Sequence, residues 1–91
     1  METIENSFKQ AINDNFRYHL MERTAKGVAD IMFGNIRTTA TMHLLPKAES
    51  ITLDKIDDLH DKIVLGWKDY SIEGVVTWKP SNNKMVFCGI E

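Results

Sequence analysis

The segment from Tyr70 to Ile90 constrains the fold more than any other part of this sequence. Two runs rich in β-branched and aromatic residues flank the turn-forming residues Pro80-Ser81-Asn82-Asn83, a pattern typical of a β-hairpin. A loop of those four residues sets the expected cross-strand pairs, which are Trp78 with Met85, Val76 with Phe87 and Gly74 with Gly89. One face of this hairpin therefore belongs to a hydrophobic core that the rest of the chain must cover.

The N-terminal part of the sequence predicts an amphipathic helix. Thr3 can cap its first turn, and Glu5 lies where the helix dipole favours an acid. Apolar residues recur at helical spacing along one stripe: Ile4, Phe8, Ala11, Ile12, Phe16 and Leu20. Gly27 is typical of the residue just beyond a helix end. We expect a helix from about Ile4 to about Ala25.

The segment from Val28 to Leu44 has two interpretations. In one, the helix continues through Phe33 and ends at Gly34. In the other, Gly34-Asn35 forms a two-residue hairpin turn, because both residues readily adopt positive φ. The hairpin gathers the apolar residues on one face, namely Ala29, Ile31, Phe33, Ile36, Ala40, Met42 and Leu44. The polar residues fall on the other face, and this division favours the hairpin.

The segment after Pro46 predicts a second amphipathic helix, capped by Ser50 or Thr52 and closing near Gly66. Its apolar stripe consists of Leu53, Ile56, Leu59, Ile63 and Trp67. Four aspartates cluster within about 100° on the opposite side of this helix; they are Asp54, Asp57, Asp58 and Asp61.

The predicted order of elements is helix, hairpin, helix, hairpin. This order predicts an α+β fold, a two-layer sandwich in which two helices cover one face of a four-stranded, mostly antiparallel sheet. A chain of 91 residues fits a single domain over residues 1–91.

The composition limits the classes of protein to which this chain can belong. The net charge of −2 argues against a strongly basic nucleic-acid-binding protein, because phosphate contacts need clustered lysine and arginine. The single cysteine, Cys88, cannot form an internal disulfide, which favours a reducing compartment. The N-terminal residues do not resemble a secretion signal, and no run approaches the about 20 apolar residues of a membrane span. We expect a cytoplasmic protein with no membrane association.

Two groups of side chains are candidates for chemistry. Cys88 and His43 fall on one predicted sheet face, but no helix N-terminus or glycine-rich loop is predicted beside Cys88 to activate a thiolate. Asp57, His60 and Asp61 could share one helix face and hold a metal ion, but the predicted stripe turns His60 inward. A small half-buried cysteine and a solvated acidic face explain these residues better. The sequence therefore predicts no catalytic, cofactor-binding or metal-binding residues, and no enzyme.

The strongest functional indication is the face of the last hairpin that points away from the helices. Alternation places apolar residues there as well as on the core face, namely Val75, Val86, Cys88 and Ile90, with Thr77, Lys79 and Lys84 towards the turn. The predicted interface consists of Val75, Thr77, Val86, Cys88 and Ile90. An exposed apolar patch on a soluble protein usually marks an interface. We expect a small non-catalytic protein-binding module, such as an adaptor, an assembly factor or an inhibitor of the kind encoded by phages and mobile elements. Its partner would be another protein or a second copy of the chain.

A nucleic-acid-binding domain is the alternative. Arg37, Lys79 and Lys84 would contact phosphates, and Trp78 or Tyr70 would stack on a base. Salt dependence distinguishes the two functions, because phosphate binding weakens steeply with salt whereas an apolar interface does not.

Overall fold

The computed structural model describes residues 3–34 and 42–91, and within them the chain forms two α-helices and five β-strands. The elements are α1 (Ile4–Phe16), β1 (His19–Met21), α2 (Ala25–Phe33), β2 (Ser50–Asp57), β3 (His60–Trp67), β4 (Tyr70–Ser81) and β5 (Lys84–Ile90). The strands form one antiparallel sheet in the order β1-β5-β4-β3-β2. The fold is therefore α+β, as predicted, but the sheet has five strands rather than four.

Helix α1 begins as predicted and ends earlier than predicted. The Thr3 side chain accepts a hydrogen bond from the Asn6 N–H at 3.1 Å, and Phe8, Ile12 and Phe16 are fully buried at helical spacing. Tyr18 then adopts a φ of 69°, which no helix accommodates. Its N–H donates to the carbonyl of Phe87, so the chain turns into β1. The predicted extension of this helix to Ala25 is wrong.

The segment from Val28 to Phe33 is helical, so the predicted hairpin strand is wrong. Helix α2 is capped by Thr24, whose hydroxyl accepts from the Gly27 N–H at 2.9 Å. Its buried residues, Val28, Met32 and Phe33, lie on one side at helical spacing. The helical interpretation correctly placed the end at Gly34. The rest of the predicted hairpin falls mostly on residues 35–41, which lie outside the described residues.

The predicted second helix is instead the hairpin of β2 and β3. The register pairs Ile51 with Leu65 and Leu53 with Ile63, which places these four apolar side chains on the core face. Two other members of the helical stripe, Ile56 and Leu59, are exposed. The turn is stabilised locally, because the Asp57 carboxylate accepts from the Leu59 N–H at 2.8 Å. This Asx-type contact is characteristic of turns rather than helix interiors.

The C-terminal hairpin is confirmed with a different register. The loop has two residues, Asn82 and Asn83, both at positive φ, as short hairpin turns require. The strands consequently pair Trp78 with Phe87, Lys79 with Val86 and Pro80 with Met85. This register differs from the predicted one by two residues, so each side chain still points to the predicted face near the turn.

A bulge interrupts the register further along this hairpin. Val76 pairs with Ile90 although Trp78 pairs with Phe87, so β5 contains one extra residue between these pairs. Gly89 lies in the bulge at a φ of 123°, a conformation that other residues rarely adopt. The extra residue turns Ile90 to the core face, where it is only 2% exposed. The predicted outward position of Ile90 is therefore wrong.

One hydrophobic core joins both helices to the sheet. It combines the buried side of each helix with the inward side chains of the strands, including Ile63, Leu65, Ile72, Val76, Trp78 and Phe87. Leu45 and Ala48, from the loop before β2, also contribute to it. The predicted two-layer arrangement therefore holds only roughly, because a loop covers part of the core alongside the helices.

The side chain of Asn13 connects α1 to the C-terminal strand. Its Nδ2 donates to the carbonyl of Ile90 at 2.9 Å, and its Oδ1 accepts from the N–H of Ile90 at 2.8 Å. Because both backbone groups of Ile90 would lose their partner, Asn13→Ala should lower the free energy of unfolding by about 1–3 kcal/mol. Urea unfolding measures this loss. Asn15→Ala, which removes an amide that bonds only within α1, is the matched control and should cost much less.

Candidate functional site

The buried carboxylate of Asp61 accepts three hydrogen bonds from side chains that are distant in sequence. Asp61 is 2% exposed, and it accepts hydrogen bonds from Arg23 Nε at 2.8 Å and Arg23 Nη2 at 2.7 Å. The indole N–H of Trp78 donates to the same carboxylate at 2.8 Å. We call Arg23, Asp61 and Trp78 the Arg23 cluster. Because each polar group in it is satisfied by the others, the arrangement is suited to holding the fold together.

Arg23 also fixes the turn between β2 and β3. Its guanidinium donates to the carbonyl oxygens of Asp57 at 2.7 Å, Asp58 at 2.6 Å and His60 at 3.2 Å. On the same turn, His60 Nδ1 lies 2.8 Å from the Asp57 carboxylate. Donating hydrogen bonds to the Asp61 carboxylate raises the pKa of the Arg23 guanidinium. Hydrogen bonds from the Leu59 N–H and from His60 hold the pKa of Asp57 below its ordinary value.

The four aspartates of the predicted acidic stripe do not share one surface. Asp54, Asp57 and Asp58 are exposed, whereas Asp61 is buried. Within the described ranges, no three side chains of the metal-binding types come close enough together to hold an ion. The predicted solvated acidic face is therefore wrong for Asp61, whose role is structural.

Cys88 and His43 are not brought together on the sheet. Cys88 lies half-buried on β5, and its thiol donates to the carbonyl of Val86 at 3.5 Å. His43 lies exposed in the turn before β2. His43 therefore does not share the sheet face of Cys88, and these two residues do not form the pair that a cysteine nucleophile needs.

Most of the predicted interface residues do lie on the face of the sheet that points away from the helices, which we call the outer face. Val75 and Thr77 alternate with the buried Val76 and Trp78 along β4, and Val86 and Cys88 flank the buried Phe87 on β5. Val75 is 36% exposed, and Thr77, Val86 and Cys88 are partly exposed. Ile90 is excluded from this face by the bulge.

Leu20 extends this apolar surface, although the sequence placed it in a helix. Strand β1 pairs Leu20 directly with Val86, and Leu20 is 53% exposed. We call Leu20, Val75, Thr77, Val86 and Cys88 the outer patch. The sequence signal for Leu20 is weak, because a strand of three residues is too short to show alternation.

The basic and aromatic residues of the nucleic-acid alternative are dispersed. Trp78 is 1% exposed and its ring packs against Phe87 at 5.9 Å, so it offers no face to a base. Lys79 and Lys84 lie at the turn end of the last hairpin, and Tyr70 lies at the opposite end of β4. Arg37 lies outside the described residues.

A concave surface lies between the β3–β4 turn and the loop before β2. This aromatic groove has a volume of about 500 Å³ and is lined by Leu45, Pro46, Lys47, Glu49, Trp67, Lys68, Asp69 and Tyr70. The rings of Trp67 and Tyr70 lie 5.9 Å apart and are tilted by 42°. The periodicity of the sequence does not reveal this site, because it places Trp67 at the end of a predicted helix. Its local signal is the short turn Lys68-Asp69 between two aromatic residues.

Comparison with known proteins adds no functional information, because no family model, no curated protein and no solved structure matches the chain. Neither α1 nor α2, the helices of the described part of the chain, is long and apolar enough to cross a membrane.

Asp61→Asn should destabilise the protein strongly. The substitution leaves Arg23, whose side chain is 20% exposed, without its ionic partner, and breaking such a pair costs about 2–4 kcal/mol. Asp58→Asn, at an exposed position on the same turn, should change stability by less than about 0.5 kcal/mol. Urea unfolding of both variants tests the comparison. Equal stability of Asp61→Asn and the wild type would contradict the structural role of the Arg23 cluster.

The lowered pKa of Asp57 predicts an acid-sensitive contribution to stability. A carboxyl whose pKa is lower in the folded than in the unfolded state stabilises the protein above its unfolded pKa, about 3.9 for aspartate. This contribution is lost as the pH falls through the folded pKa. Unfolding midpoints measured between about pH 2.5 and pH 6 should therefore decline less steeply for Asp57→Asn than for the wild type. Parallel curves would show that Asp57 does not contribute.

Proposed function

We propose that this protein is a small protein-binding module and that the outer patch is its contact surface. The supporting observation is that partly exposed apolar side chains from three strands share one face, since Leu20 on β1 pairs with Val86 on β5 and Val75 lies on the same face of β4. An antiparallel sheet with one solvated face normally presents polar side chains there. Burying apolar surface on association contributes about 25 cal/mol per Å², before the costs of association.

The charges beside the patch define the chemistry of the partner. Lys79 lies directly opposite Val86, and Lys84 ends the same hairpin. Neither lysine forms an ion pair with any of the residues that the structure describes. On the opposite side of the patch, Lys62 and Glu73 lie 3.9 Å apart and neutralise each other. The partner is therefore a protein with an apolar surface that carries acidic side chains where it meets Lys79 and Lys84.

This interaction requires only a surface that is complementary in shape and charge, so it suits an adaptor, an assembly factor or an inhibitor. The free thiol of Cys88 within the patch is compatible with a reducing compartment such as the cytoplasm. A second copy of the chain is the alternative partner, because the same patch would then be buried on both copies.

The test combines a photo-reactive amino acid at Thr77 with a charge introduced at Val86. Cross-linking in the native cell should give a covalent adduct with one partner protein, identified by mass spectrometry. Val86→Glu should abolish the adduct, because it places an unpaired charge in an apolar interface. The circular dichroism spectrum should not change, because the side chain can reach water. Asn6→Glu is the matched control, since it adds the same charge at an exposed position of the first turn of α1.

Three outcomes would contradict the proposal. An adduct that survives Val86→Glu would show that the outer patch is not the contact surface. Loss of folding in Val86→Glu would show that Val86 belongs to the interior. Cross-links to nucleic acid that fail to form when a lysate is irradiated at high salt would favour the nucleic-acid alternative.

A further inference from the structure

We propose that the aromatic groove binds a proline-rich segment of another protein in the polyproline II conformation. This site lies at the end of β3 and β4 where Trp67 and Tyr70 pair, and it shares no residue with the outer patch. The inference therefore goes beyond the proposed function and does not depend on it.

The groove is formed in advance of any ligand. The ring of Phe8 packs edge-on against Trp67 at a centroid distance of 5.7 Å. The indole N–H of Trp67 donates to the carbonyl of Pro46 at 2.7 Å. These contacts fix the Trp67 ring from two sides and satisfy its only polar group. What Trp67 offers a ligand is consequently a rigid apolar face, set at an angle to the face of Tyr70.

The position of the groove argues against two other common modes of peptide binding, strand addition and helix binding. Strand addition needs a free sheet edge, but β3 and β4 lie inside the sheet and are paired on both sides. An amphipathic helix needs a long groove to contact residues on several turns. Among the residues that the structure describes, the lining comes from two short segments, 45–49 and 67–70. A polyproline II segment fits such a site, because it is extended, preordered and docks on aromatic side chains.

The charges at the rim favour an uncharged ligand. Lys47 and Glu49 lie on the loop side of the groove, and Lys68 and Asp69 lie on the turn side. Each side thus carries one positive and one negative charge. A nucleic-acid strand would be attracted by the lysines and repelled by the acids, whereas proline residues experience neither effect. The volume of about 500 Å³ lies within the range of ordinary ligand sites.

The experiment is a titration of the isotope-labelled protein with a polyproline peptide of about ten residues, which forms the left-handed helix in solution. The indole N–H signal of Trp67 should shift with saturation, while that of the buried Trp78 should not. A glycine-serine peptide of equal length is the control for conformation. Tyr70→Ala should weaken binding by about fivefold or more, because it removes one aromatic face. Tyr18→Ala removes an exposed tyrosine elsewhere and should leave the affinity unchanged.

Each other outcome overturns the inference. Absence of a shift in Trp67 at millimolar peptide would show that the groove does not bind such a segment. Equal shifts with the glycine-serine peptide would show that polyproline conformation is not recognised. Shifts of Trp67 with a single-stranded oligonucleotide, but not with polyproline, would assign the groove to nucleic acid. Because the wild-type titration alone decides these cases, a failure of Tyr70→Ala to fold would not affect the test.

Discussion

The fold depends on the neutralisation of one buried carboxylate. Taking the charge of Asp61 out of water costs several kcal/mol unless that charge is paired and hydrogen-bonded. Arg23 supplies two donors to it and Trp78 supplies a third. These residues come from the segment before α2, from β3 and from β4, so the cluster joins parts of the chain that are distant in sequence. The same guanidinium also bonds to carbonyl oxygens of the β2–β3 turn, which positions that hairpin relative to the N-terminal segment.

The sequence predicted the last hairpin because its determinants are local. Two asparagines between β-rich runs need no distant partner to define a turn, and Trp78 and Phe87 face the core in either register. The two central elements were assigned wrongly because their determinants are not local. Leu53 and Ile63 fit a helical stripe and also fit the inward face of two strands. Pairing with other strands and with Arg23 decides between the helix and the hairpin. Neither the periodicity of the apolar residues nor their secondary-structure propensity contains that information.

The same difference between local and long-range determinants explains which residues of the candidate sites were predicted and which were not. Alternation along β4 and β5 was sufficient to predict that Val75, Thr77, Val86 and Cys88 share one face. It failed at Ile90, because a bulge at Gly89 changes the alternation without changing the composition. Leu20 and the aromatic groove were missed because both depend on elements whose type was predicted wrongly. The residues that one strand contributes to a surface can therefore be predicted from that strand alone. Predicting how far the surface extends requires knowing which strands lie beside it.

The amide of Asn13 has a consequence for how this chain avoids misassembly. The backbone groups of a sheet edge can recruit strands from other molecules, which leads to aggregation. Strand β1 covers β5 only from Met85 to Phe87, and the Asn13 side chain occupies both backbone groups of Ile90 beyond it. This protection exists only once α1 has docked on the sheet. Until then, the C-terminal strand is a template for intermolecular pairing, so early docking of α1 protects the folding chain as well as stabilising the folded one.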